Sequence, residues 1–231
     1  MRKNLLLCCL ALVSAAPAQV PVAAEQEAFH KLTFRNEYVE AVAVEIPPHQ
    51  STQLHRHAHD YLAVSLRDGT VTTTAPGKDP AQEKRQRGEA WMGKATDHVV
   101  RNDGETPYRA VAVEFKAPQG EVKPVHDKTS RYCNAKSKTA CVTERYLFCT
   151  AKVCVSEVKM GPGAVTMKHS HSTDHMVIAI SDLDMKDWIE GRPAAVARSQ
   201  KSGEVLFVDA GITHQLANGP KPARMIVVSW K

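Results

Sequence analysis

The 231-residue sequence contains no block of five like charges, and its formal net charge is only +5, from 30 Lys and Arg against 25 Asp and Glu. That excludes the one-sided basic surface of a dedicated nucleic-acid binder. It contains no G-x-S-x-G, no P-loop and no G-x-G-x-x-G, so three common catalytic and cofactor signatures are absent. Beyond the N-terminus no apolar run approaches the roughly 20 residues that a membrane-spanning helix needs. Composition is otherwise ordinary, with 43% hydrophobic, 24% charged and 6% aromatic residues. Wholesale disorder and a collagen-like fibre are thereby excluded.

The first segment of note is Met1-Arg2-Lys3-Asn4 followed by an apolar run from Leu5 to Ala18. A positive start, a short hydrophobic middle and a small-residue end predict a secretory signal peptide over residues 1–18. Ala16-Pro17-Ala18 fits the cleavage site, with Val22-Ala23-Ala24 as a second candidate. Loss of Arg2 and Lys3 leaves 28 basic against 25 acidic residues. The expected location is periplasmic or secreted, with no membrane attachment after cleavage.

Cys8 and Cys9 would leave with that segment. Cys133, Cys141, Cys149 and Cys154 remain, clustered in mid-chain. In an exported protein such a cluster predicts two disulfides, with all three pairings open. Structural zinc is the competing reading, but no C-x2-C pair is present.

The abundant residue is histidine, with 11 copies, and their spacing reveals a two-fold repeat. His55-Arg56-His57 is followed by His98, as His169-Ser170-His171 is followed by His214. Other positions keep the register. Asn102 follows His98 by four residues, as Asn218 follows His214, and Gly88-Glu89 corresponds to Gly203-Glu204. Each copy closes on an apolar run after an arginine, Arg109 to Phe115 and Arg224 to Trp230. Short β-branched or apolar runs recur at Val39–Ile46, Tyr61–Leu66, Val71–Thr74, Ala110–Phe115, Val153–Val158, Met176–Ile180, Val205–Val208 and Met225–Val228. Many short strands at this spacing predict an all-β sandwich or barrel in each copy. Asp184 to Ile189 reads as a short helical turn or a loop, and the polar stretch Gly120 to Cys141 as a connector.

These residues resemble the cupin motifs G-x5-H-x-H-x3,4-E-x6-G and G-x5-P-x-G-x2-H-x3-N, in a two-domain (bicupin) arrangement. In the second copy Gly163, His169 and His171 fall on the first motif, and Gly203, Gly211, His214 and Asn218 on the second. His175 stands at the Glu position, Asp182 at the final Gly and Asp209 at the Pro. The first copy is looser: His55 and His57 match, Tyr61 takes the Glu position, and His49 replaces the leading Gly. The resemblance implies two tandem cupin barrels (double-stranded β-helix, or jelly-roll), over residues 26–118 and 146–231. A polar, cysteine-bearing connector over 119–145 would join them. It also allows a homodimer formed through barrel edges.

Strand side chains alternate, so His55, His57 and Tyr61 share one face, as do His169, His171 and His175. A later histidine on another strand can close on each pair and form an imidazole cage, a common setting for a transition metal. The candidate ligands are His169, His171, His175 and His214 in the second copy, and His55, His57 and His98 in the first. Tyr61 and His59 are candidate pocket or relay residues. Neither copy has the motif carboxylate. The donor set therefore favours iron, nickel, copper or zinc, with manganese still allowed.

Asp60 and Asp174 point away from the cage by parity and are expected to bond Arg109 and Arg224 or a backbone turn. Asn102 and Asn218 are expected to bond backbone. His30, His49 and His126 have no repeat partner and read as surface residues. Trp91, Met92, Phe207, Met225, Trp188 and Met185 read as wall or core. The implied activity is that of a metal-dependent oxidoreductase, dioxygenase-like, acting on a small organic molecule. A metal-dependent lyase or isomerase, a non-catalytic metal or small-ligand binding protein and a structural bicupin with vestigial sites are the alternatives, because one fold hosts many functions.

Overall fold

A computed structural model describes residues 20–134 and 137–231. The expected signal peptide, residues 1–18, lies outside the described residues. Ten strands build the first half: β1 (Val22–Ala23), β2 (His30–Arg35), β3 (Val39–Ile46), β4 (His55–His57), β5 (Tyr61–Ser65), β6 (Gly69–Thr74), β7 (Ala81–Arg85), β8 (Ala90–Gly93), β9 (Thr96–Asn102) and β10 (Tyr108–Phe115). They form two five-stranded sheets, in the orders β1-β4-β9-β6-β7 and β2-β3-β10-β5-β8. Eleven more build the second half: β11 (Lys123–Pro124), β12 (Thr129–Cys133), β13 (Cys141–Cys149), β14 (Val153–Met160), β15 (His169–Ser170), β16 (His175–Ala179), β17 (Leu183–Ile189), β18 (Val196–Gln200), β19 (Val205–Val208), β20 (Thr213–Asn218) and β21 (Ala223–Trp230). Their sheets run β15-β20-β17-β18 and β11-β13-β14-β21-β16-β19, with β12 on the flank of β13. The only helical element among the described residues is a 3-10 turn at Ala24–Gln26. The all-β, two-barrel architecture expected from the repeat is the one observed.

Why several strands read as unbroken apolar runs becomes clear from their two faces. Leu62, Val64, Val111, Val113 and Phe115 belong to one large cluster, joined by Met176, Ile178, Ile226 and Val228 of the other half. The alternate residues face inward instead. Tyr61, Ala63 and Ala112 line the first barrel, and Ala179 and Met225 the second. A strand buried on both faces has no polar side, so alternation disappears. The largest apolar cluster is thus the seam between the barrels. Each fully buried Ile, Leu or Phe there contributes about 1.5–3 kcal/mol.

The seam repeats the two-fold pattern of the sequence. A Cβ on Gly88 would lie 2.3 Å from Nη2 of Arg224, and one on Gly203 would lie 2.9 Å from Leu66 and 3.8 Å from Nη2 of Arg109. Both glycines have positive φ, at 81° and 97°. Each barrel therefore uses a left-handed glycine to admit side chains of the other.

Two elements differ from expectation. Leu183–Ile189 is a strand, with Leu183, Met185 and Asp187 facing in and Asp184, Lys186 and Trp188 facing out. The buried Asp187 breaks its apolar alternation and hides the strand period. Trp188 is accordingly 45% exposed and is not core. The stretch 119–145 also departs from a bare connector, because β11, β12 and the start of β13 join the second barrel's sheet. Cys133–Cys141 and Cys149–Cys154 are the disulfides, each linking residues directly opposite in a hairpin. They close short loops, worth about 2 kcal/mol each by chain entropy. Two disulfides fit an oxidising compartment. No helix among the described residues is long and apolar enough to cross a membrane.

Gly88→Ala puts a side chain into the left-handed region and against Arg224. The expected cost is about 1–2 kcal/mol, or roughly 2–8 °C in melting temperature for a chain of this size. Thermal unfolding followed by circular dichroism measures it, and an unchanged midpoint would contradict the seam geometry.

Candidate metal centres

The histidine strands sit side by side in each barrel. In the first, β4 pairs with β9 so that His55 stands opposite His98. In the second, β15 pairs with β20 so that His169 stands opposite His214. The two-residue spacing then brings His57 and His171 to the same face. The outcome is two groups of three ring nitrogens, His55/His57/His98 and His169/His171/His214, with all donor atoms of each group within 4.8 Å of one another.

Hydrogen bonds at Nδ1 fix which way the rings point. His169 Nδ1 donates to the Met167 carbonyl at 2.8 Å, and His214 Nδ1 lies 2.9 Å from Oδ1 of Asp187. A carbonyl only accepts, so Nδ1 of His169 carries the proton and Nε2 is a lone pair. With His214 donating to a carboxylate, the same holds for its Nε2. The two Nε2 atoms face each other at 3.2 Å, and Nε2 of His171 lies 3.1 Å from that of His214. In the first barrel His55 Nδ1 donates to the Gln53 carbonyl at 3.0 Å, and its Nε2 lies 3.0 Å from Nε2 of His98. His57 Nδ1 lies 3.0 Å from Oε1 of Glu114. In the second barrel the opposed lone pairs of His169 and His214 repel unless a cation lies between them; both three-nitrogen groups fit a transition metal, and three nitrogens leave positions open.

The carboxylates behind the rings were hidden from motif matching, which looks for a carboxylate among the ligands. Glu114 interrupts the apolar run of β10 on its inward face, and Asp187 does the same in β17. An acidic residue at inward parity in an apolar strand is the signal that finds both. Such partners orient a ligating ring and fix its tautomer. Each barrel has one, on a different histidine. Asp187 is held in turn by Arg198 Nε at 3.0 Å. Glu114 also accepts from the backbone N–H of Ala58 and His59. Burial works to raise the Glu114 carboxyl, but hydrogen bonds from His57 and His59 outweigh it and hold it below the usual range.

The residues at the motif Glu position do not enter either nitrogen group. His175 stacks on His171 with ring centroids 3.8 Å apart, and Tyr61 stacks on His57 at 4.1 Å. A stacked ring presents its face, not its lone pair, so His175 stands apart from the three-nitrogen set in this structure. Its Nδ1 is buried with no hydrogen-bond partner among the described residues. Burial pushes the Tyr61 phenol up to about 12, so it stays protonated. His59 lies at the rim, its side chain 45% exposed, with Nδ1 3.4 Å from Glu114.

His30 is not a surface residue. Its side chain is 3% exposed, Nδ1 donates to the Ala24 carbonyl at 2.7 Å, and its ring meets His55 edge-on at 4.8 Å. It stands on β2, outside both motifs, where only the fold brings it to the cage. His49 and His126 are exposed as expected. Asn102 and Asn218 each donate to three backbone carbonyls. Asp174 accepts from the Ala210 N–H, and Asp60 from the Gln119 N–H and from Lys94. The backbone role holds for both, and neither bonds Arg109 or Arg224.

The two cavities differ. The first, ≈ 460 Å³, carries Lys78, Asp79, Glu83, Arg85 and Lys94 on its wall beside the histidines. The Arg85 guanidinium lies 3.8 Å over the Trp91 ring and pairs with Glu83 and Glu89. The second, ≈ 520 Å³, is walled mainly by Val142, Val158, Val177, Leu216, Met225 and Val227, with Arg131 and Glu144 as its charged residues beside the histidines. Its histidines are also the more open, since His169 and His171 are only partly buried while all three of the first set are buried.

Burial holds the imidazoles neutral. It lowers His30 to about 3, His55 to about 4 and His98 to about 2, and in the second barrel His171 to about 4 and His175 to about 3. Below the ordinary value of 6.5 the unfolded chain binds protons that the folded chain refuses. Stability of the metal-free protein is therefore complete above about pH 6.5 and is lost as pH falls toward 4. One such group costs about 2 kcal/mol at pH 5. Urea unfolding of chelator-treated protein between pH 8 and 5 checks this, and a flat profile would contradict it.

Neither a family model nor a curated protein sequence matches the chain. Solved structures do. AerE from Microcystis aeruginosa superposes with a TM-score of 0.57 at 13% identity, over 91% of this chain and 98% of its own. The oxalate decarboxylase of Lactobacillus farciminis, a formate complex, gives 0.58 at 11% identity, over 84% and 77%. A cupin 2 conserved barrel domain protein from Leptotrichia buccalis gives 0.53 at 10% identity, over 95% and 93%. At such identities the likeness is one of fold, and in fold this chain is a bicupin: two cupin barrels in tandem, each closing around its own set of three histidines.

Proposed function

We propose that the chain is an exported, metal-dependent bicupin oxidoreductase of dioxygenase type, acting on a small, largely apolar organic molecule in the second barrel. The observation that carries this reading is the opposed Nε2 lone pairs of His169 and His214 at 3.2 Å, joined by His171 and opening onto an apolar cavity. The ligands would be His169, His171 and His214, holding iron, nickel or copper, because zinc has no redox chemistry to offer. When bound, the metal would supply a Lewis-acidic or redox-active centre with positions free for substrate and oxygen.

The protein's own part follows from the geometry. Asp187 keeps the proton on Nδ1 of His214 and so keeps Nε2 available. The Met167 carbonyl does the same for His169. The valine, leucine and methionine wall excludes water and gives an apolar substrate its contact surface. His175, stacked on His171, forms the floor of the cavity and presents no charge there. The first barrel would hold a second ion on His55, His57 and His98, with Glu114 behind His57 and Tyr61 as a wall residue. Its polar, charge-lined cavity suits a different ligand from the second. Export rests on the signal-like N-terminus and the two disulfides.

An oxygen-electrode screen of metal-loaded protein against small aromatic and aliphatic compounds tests the proposal. Oxygen uptake is expected to vanish in His171→Ala. In Asp187→Asn it should need roughly 10–100-fold more free metal for half-maximal rate. Uptake that survives His171→Ala, or turnover with no oxygen consumed, would overturn the oxidoreductase assignment.

A further inference from the structure

Away from both histidine cages, a concave groove of ≈ 540 Å³ lies where the second barrel meets the first. Arg87 of the first barrel and Arg131, Lys138, Lys159 and Arg224 of the second line it, beside the hydroxyl groups of Thr139, Thr143 and Ser181. Lys159 and Arg224 share one buried carboxylate, Glu157, which also pairs with Arg145 outside the groove. For Arg87, Arg131 and Lys138 no carboxylate lies within ion-pair distance among the described residues. Arg87 instead donates to the Ile180 carbonyl, and Arg131 approaches the sulfur of Cys141. Five cationic residues thus line one groove, and a single carboxylate, Glu157, pairs with two of them.

The fold does not demand this charge, because the molecule carries its own comparison at the pseudo-equivalent seam. There Arg109 takes the place of Arg224. The residue opposite it in register is Glu45, where Arg224 has Lys159. The residue before the seam glycine is Ser202, where the other seam has Arg87. The same backbone thus carries an acid and a hydroxyl at one seam and two cations at the other. A cluster of guanidinium and ammonium groups with hydroxyl donors, closed on one side by Met160, Gly161, Pro222 and Ala223, matches an oxyanion with several acceptor atoms. A groove of ≈ 540 Å³ is of a size for a small molecule, and the low overall charge argues against a long polyanion.

We propose that this groove binds a small phosphate- or pyrophosphate-bearing molecule, recognised by Arg87, Arg131 and Arg224 with Lys138 and Lys159 supplying further charge. The site is independent of the metal reading, although Arg131 also reaches the wall of the second cavity.

The test is calorimetric titration of inorganic pyrophosphate into the oxidised, full protein at about 150 mM salt, where surface charge is screened beyond roughly 8 Å. Submillimolar binding is expected. Lys138→Gln with Lys159→Gln, both exposed positions, should weaken it by roughly tenfold or more. Lys84→Gln with Lys186→Gln removes the same net charge from exposed strands that do not line the groove and should leave the affinity within about twofold. His171→Ala should bind as the wild type does, which separates the groove from the metal centre. The proposal is overturned by absent submillimolar binding, by equal loss in the two lysine pairs, by loss in His171→Ala, or by citrate binding as tightly as pyrophosphate.

Discussion

In the second barrel the lone pairs on Nε2 of His169 and His214 face one another at 3.2 Å, and most of the surrounding structure can be derived from that contact. Each ring must donate its Nδ1–H to an acceptor on the far side. Those acceptors are the Met167 carbonyl and Asp187, and Asp187 needs Arg198. A buried carboxylate must therefore interrupt an apolar strand. The cost of holding lone pairs face to face in a buried cage is carried by the barrel around them, and a cation at the centre would relieve it.

The barrel walls face the same constraint from the other side. Strands β5, β10, β16 and β21 have one face turned to a histidine cavity and the other to the partner barrel, so apart from Glu114 and His175 at the cages both faces are mainly apolar. The seam glycines 88 and 203 follow from the close approach this requires. The halves have diverged on this common frame. The first cage is buried, has Glu114 behind His57 and opens onto charged walls. The second is more open, has Asp187 behind His214 and opens onto valines and methionines. Two histidine cages on one backbone frame, with two chemistries of wall, are the result.

Much of this was legible in the sequence. The paired H-x-H spacings and the later histidines place both cages, because strand parity converts a two-residue spacing directly into a shared face. Val39–Ile46 and Val205–Val208 coincide with strands at both ends, since turn residues bound them. What stayed hidden depended on contacts distant in sequence. His30 reaches His55 only through the pairing of β2 with β3, and no repeat partner marks it. Glu114 and Asp187 were visible as acids within apolar strands, but the motif drew attention to another position. The same Asp187 disguised β17 as a short helical turn or a loop. His175 has the parity of a ligand, yet it stacks on His171, a choice of ring orientation that spacing does not determine.

Both cages are expected to be metal centres, and metal content per chain measures that most directly. Untagged protein would be analysed by elemental mass spectrometry beside His57→Ala and His171→Ala. About two transition-metal ions per chain are expected, one lost in each variant. Protein that holds no transition metal and takes up none on reconstitution would contradict the account.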